Sequence, residues 1–134
     1  MAALFLGAYH ASLYAIRRSQ TSGLFQDRLQ WAQRAYSWAP QAFDPLYTYT
    51  SALLQSGSSH LIKEALPKIE TLHKNFPYVP VVLYQTAFAR IQTGQLDQAN
   101  TLLQQAIDND PGFSEAKELK TAISKYLPHE LNTH

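Results

Sequence analysis

The strongest constraint on this chain is a recurring distance between glycines and prolines. Gly94 and Pro111 are separated by the same interval as Gly23 and Pro40, and a step of 34 residues back from Pro111 lands on Pro77. Between the first and last pairs lies Gly57, whose interval to Ala65 is three residues longer than that from Gly94 to Ala99, whereas Ala65 to Pro77 equals Ala99 to Pro111. A glycine that ends one helix, a second helix rich in small residues and a proline that stops it define one supersecondary unit. Three such units in register describe a stack of helix pairs, the middle one carrying a three-residue insertion within Ser58 to Lys63.

The hydrophobic periodicity between these markers predicts seven helices, at about 2–21, 25–38, 43–56, 60–75, 80–93, 96–109 and 114–126. In domain terms the expectation is a single domain over 1–134, with 1–8 an apolar helical extension. Repeats follow at 9–42, 43–79 and 80–113, then a cap at 114–126 and a frayed tail at 127–134. The cap places Leu119, Ala122, Ile123 and Tyr126 on one stripe, with Glu115, Lys117, Glu118 and Lys125 largely outside it.

The clearest unit runs from Pro80 to Pro111, with Leu83, Ala87, Gly94, Ala99, Leu103 and Ala106 between. This segment resembles a tetratricopeptide repeat, apart from Thr86 where the family has Leu and Arg90 where it has an aromatic. The resemblance implies an all-α, right-handed superhelix of about three helix pairs plus a C-terminal capping helix, whose first helices line a concave groove. The family's groove positions fall on His10, Leu13, Arg17 and Gln20, on Asp44, Tyr47, Ser51 and Leu54, and on Val81, Tyr84, Phe88 and Ile91. The residues expected to hold a protein or peptide partner are therefore Arg17, Asp44, Tyr47, Leu54, Tyr84, Phe88 and Ile91. Two alternatives stay open: a short array that curls closed, and an N-terminal extension that fills its own groove. The family's Lys/Asn/Arg clamp for a C-terminal carboxylate is not expected, because none of the three groove helices contains Lys.

Composition narrows the chemistry. Of 134 residues, 46% are apolar and only 16% charged, with a net charge of +1 and no block of Lys and Arg, which argues against a dedicated nucleic-acid binder. The absence of cysteine removes disulfides, thiolate metal sites and cysteine nucleophiles. His10, His60, His73, His129 and His134 never fall at the spacing used by helical metal sites, so no metal and no cofactor is expected. Asp108 and Asp110 read as polar residues that end a helix rather than as an acid/base pair, and Trp31 and Trp38 as packing residues. Residues 1–16 carry no Asp, Glu, Lys or Arg before Arg17-Arg18, too short a run to span a bilayer alone but sufficient for membrane contact.

The apolar opening, the run Ala32-x-x-Ala35-Tyr-Ser-Trp-Ala-Pro40 and the run Asn75-Phe-Pro77-Tyr-Val-Pro80 carry a second resemblance. They are similar to the C-terminal region of membrane-bound bacterial O-antigen polymerases and ligases, including the oligosaccharyltransferases that glycosylate pilins. That resemblance implies an accessory domain on the periplasmic face of the inner membrane, with the transferase residues elsewhere. The rival expectation is a stand-alone adaptor, cytoplasmic or peripheral to a membrane, that scaffolds an assembly or secretion system. No residue pattern supports an enzyme acting alone.

Overall fold

The computed structural model describes residues 14–18, 20, 23–40 and 42–127. The expected extension at 1–8 and most of the first helix lie outside them, as do His10, Leu13 and nearly all of the tail. Residues 14–18 are helical. Six complete helices follow: α1 (Phe25–Trp38), α2 (Phe43–Gln55), α3 (Ser59–Asn75), α4 (Pro80–Gln92), α5 (Leu96–Asn109) and α6 (Ser114–Ser124). The protein is an all-α helical repeat, and it divides into two compact units, Met1–Lys68 and Ile69–His134.

In the first unit small residues let helices approach closely. Ala15 and Ile16 bury against Ala35, with Trp31 packed beside them. Helix α1 packs on α2, which buries Leu46, Tyr49, Ala52 and Leu53 along one flank. The Tyr36 and Tyr49 rings meet at 5.2 Å, and the Lys68 ammonium lies within 5.8 Å of both. The Tyr49 hydroxyl donates to Glu64 Oε1 at 2.9 Å. Burial first, and then this bond to a carboxylate, pushes the Tyr49 phenol well above its ordinary pKa.

The three-residue insertion becomes helix. Helix α3 has 17 residues where α1 and α5 have 14, so the extra residues add most of a turn. Ser58 stands before its first turn, its Oγ accepting from Leu61 N at 3.4 Å. Pro67 sits inside this helix with its ring exposed.

The second unit has a core of Leu83 and Ala87 from α4, Ala99, Leu103 and Ala106 from α5, and Ala116 and Ile123 from α6. Helix α4 starts on Pro80, whose missing amide hydrogen costs nothing at a first helical position. It ends in a Schellman motif: Gln95 N donates to Arg90 O at 2.8 Å and Gly94 N to Ile91 O at 3.0 Å, with Gly94 at φ 78°. Gly57 has φ 71°, but Gly23 does not enter the left-handed region, so the first of the three glycine turns is built differently. Thr86, fully buried, donates its hydroxyl to Val82 O at 2.8 Å, which explains how a polar residue stands where the repeat family has Leu.

Two details of the cap differ from expectation. Leu119 and Ile123 pack on the core as expected, but Tyr126 is 69% exposed and Ala122 is also exposed, and Ala116 is buried with Ile123 in their place. Leu127, expected in the frayed tail, is buried. Asp110 Oδ1 accepts from Gly112 N at 3.2 Å, and Asp108 accepts from Gln104 one turn earlier, as suits polar residues at a helix end. Among the described residues no helix is long and apolar enough to cross a membrane.

Candidate functional site

In the first unit Asp44, Tyr47, Ser51 and Leu54 follow one another at helical spacing on one side of α2. Asp44 is exposed, and the other three are half-buried. The Tyr47 ring lies parallel to Phe43, centroids 5.6 Å apart and planes 4° from coplanar. Beside this face is a cleft of about 300 Å³ lined by Gln20, Phe25, Arg28, Tyr47, Ser51 and Gln55 among others. Three residues placed on the groove by position, Gln20, Tyr47 and Ser51, are thus brought together. Arg17 and Asp44 are exposed but do not line the cleft, and neither does Leu54.

The cleft also contains residues that position counting missed. Phe25 and Arg28 come from the first turn of α1, and the Arg28 guanidinium lies 5.8 Å from the Phe25 ring centroid. An aromatic and a basic residue three apart, just after the Gly23 turn, was the available signal. Chemically the lining combines two aromatic rings, two carboxamides, hydroxyls and one guanidinium. Such a set packs an apolar side chain and hydrogen-bonds an extended main chain.

In the second unit Val81, Tyr84, Phe88 and Ile91 share one side of α4, and all four are half-buried. Tyr84 and Ile91 pack against the core, and Tyr84 meets the Phe113 ring at 5.3 Å. Part of this apolar face is therefore spent on internal packing. Arg90, on the neighbouring side of α4, forms an ion pair with Glu70 of α3, and this occupies the position where the repeat family has an aromatic. The hydrogen bond from Arg90 holds the Glu70 carboxyl below its ordinary pKa and raises that of Arg90 in return. Asn109 Nδ2 donates to Tyr78 O at 3.0 Å, tying the segment before α4 to the end of α5 and so fixing where the α4 face begins.

No curated protein matches the chain. Residues 60–123, which span nearly all of α3 to α6, match the tetratricopeptide repeat family, and this match together with the helix pairs supports a tetratricopeptide-like domain.

Proposed function

We propose that the chain is a protein-binding module whose contacts are made by the α2 face and its cleft in the first unit and by the α4 face in the second. Tetratricopeptide repeats serve generally as protein-interaction domains. The observation that carries this reading is the cleft, where Gln20, Tyr47 and Ser51 join Phe25 and Arg28 in a lining suited to an extended peptide. Arg17, Asp44 and Leu54 flank it, and Tyr84, Phe88 and Ile91 supply the apolar contacts on α4. The test is selection of a phage-displayed random peptide library on the full chain, followed by Tyr47→Ala and Phe88→Asp. Peptides held by the cleft should lose binding in Tyr47→Ala, and peptides held by the α4 face in Phe88→Asp, while helical content and melting stay near wild type. Binding that survives both substitutions sinks the reading, and a large loss of stability in Phe88→Asp marks that residue as core.

At a finer level, the module is the periplasmic accessory domain of a membrane-bound O-antigen polymerase or ligase, or of a protein O-oligosaccharyltransferase, where it helps position an acceptor protein. What supports this is the resemblance of the Ala32–Pro40 and Asn75–Pro80 runs and the uncharged opening. Recovering the reading frame upstream of Met1 tests it. Many apolar segments there support the accessory domain; an upstream stop codon overturns it in favour of an adaptor.

A further inference from the structure

A second surface lies apart from the cleft, on the outer side of α1 in the first unit. Trp31, Arg34 and Trp38 succeed one another at spacings of three and four, so they share one side of the helix. Tyr14 meets Trp31 edge-on at 5.7 Å. The Arg18 and Arg34 guanidiniums lie 5.6 and 4.8 Å from the Trp31 ring centroid. Tyr14 is 58% exposed and Trp38 43%, and both arginines are exposed, while Trp31 is half-buried against Ala15, Ile16 and Ala35 and anchors the face from below.

Charge along the chain is segregated around this surface. Residues 1–43 contain four arginines (17, 18, 28 and 34) and one carboxylate, Asp27, a net of +3. Residues 44–134 hold the other seven Lys and Arg and nine Asp and Glu, a net of −2, which recovers the total of +1. The excess of positive charge is thus carried by the segment that holds this face, and such an excess draws a surface toward an anionic plane.

We infer that the Tyr14/Arg18/Trp31/Arg34/Trp38 face docks on the surface of an anionic lipid bilayer. Trp and Tyr present an apolar ring with one polar end, the chemistry that settles at the boundary between headgroups and acyl chains. Guanidinium forks match phosphate oxygens two at a time. An acidic protein would use the arginines but would leave the exposed Tyr14 and Trp38 rings without apolar contact, so the bilayer accounts for more of the face. The inference is independent of the peptide-binding reading, since none of these residues lines the cleft.

Trp31 and Trp38 are the only tryptophans, so their fluorescence reports on this face alone. The full chain is titrated with phosphatidylcholine vesicles and with vesicles that also contain phosphatidylglycerol. Binding and a blue shift are expected only with the anionic lipid, and both should disappear at about 0.5 M salt, where screening leaves a Debye length of a few ångströms. Each surface arginine contributes roughly fivefold to such binding, so Arg18→Gln with Arg34→Gln should weaken it about 25-fold. Lys117→Gln with Lys120→Gln removes the same charge from α6, outside this face, and should weaken binding less than the arginine pair does. Trp38→Ala, at a solvent-facing site, should weaken binding while circular dichroism remains that of wild type. Equal binding to both vesicle types, equal loss from the two charge-removing pairs, or binding of a polyglutamate peptide without binding of vesicles overturns the inference.

Discussion

Glycine turns offer the sharpest test of the repeat geometry, because three similar glycines are predicted to respond with opposite signs. Gly94 has φ 78° and a Cβ built there meets nothing within 4 Å, so alanine would suffer from backbone conformation alone. Holding an L-residue in the left-handed region costs about 1–2 kcal/mol. Alanine also removes freedom from the unfolded chain, which offsets about 0.4–1 kcal/mol. Gly94→Ala should therefore lose about 1 kcal/mol, a fall in melting temperature of roughly 3–5 °C for a chain of this size. Gly57→Ala, at φ 71° and equally uncrowded, should do the same. Gly23 is uncrowded and not left-handed, so Gly23→Ala keeps only the unfolded-state term and should gain about 0.4–1 kcal/mol. Gly94→Asn should fall between wild type and Gly94→Ala, since asparagine tolerates this region. Thermal melts by circular dichroism measure all four. The reasoning fails if Gly23→Ala and Gly94→Ala shift the melt in the same direction, or if asparagine is no better than alanine at position 94.

Other expectations follow from burial and charge. Leu103 is fully buried in the second unit, and Leu103→Ala should cost about 2–5 kcal/mol in urea unfolding, with exposed Gln104→Ala as the neutral control. The Glu70 carboxyl is held below its ordinary value of 4.5, so its contribution is present above that pH and is lost as pH falls through the depressed value. With side chains 24% and 47% exposed, the pair should contribute only about 0.2–1 kcal/mol, and Arg90→Met should remove this part of the acid dependence. The Tyr49 phenol is raised from its ordinary 10.0, so its stabilisation is intact below that pH and declines as pH climbs toward the raised value. Ultraviolet titration just above pH 10 should thus show the same ionised amplitude in wild type and Tyr49→Phe; a smaller amplitude in the variant refutes the burial argument.

Much of this architecture was legible before any coordinates. Five of the six complete helices begin where periodicity and the Gly and Pro markers place them, and α3 begins one residue earlier. These boundaries are local: a proline without an amide hydrogen or a glycine in a left-handed turn acts through its own few residues. What local pattern could not supply was tertiary. The periodicity of α6 allows a stripe through Ala122 and Tyr126 as readily as one through Ala116 and Ile123, and only packing against α5 selects the latter. Gly23 shares its interval to proline with Gly94 but not its conformation. Position counting puts Gln20, Tyr47 and Ser51 on one face, and they share a cleft, whereas Phe25 and Arg28 enter the same cleft from the next helix, which position counting does not reach.

Pro67 has a consequence for how the protein opens. It has no amide hydrogen to offer the carbonyl of residue 63, and the boundary between the two compact units falls one residue later, after Lys68. The main-chain ladder of α3 is thus interrupted where the two units share it. Fraying that starts at one end of the chain meets a break in the helical cooperativity there, so each unit can exchange its amides on its own schedule. Hydrogen exchange should then resolve residues up to 68 and residues from 69 as two foldons, and a bound partner should slow exchange in one without slowing it in the other.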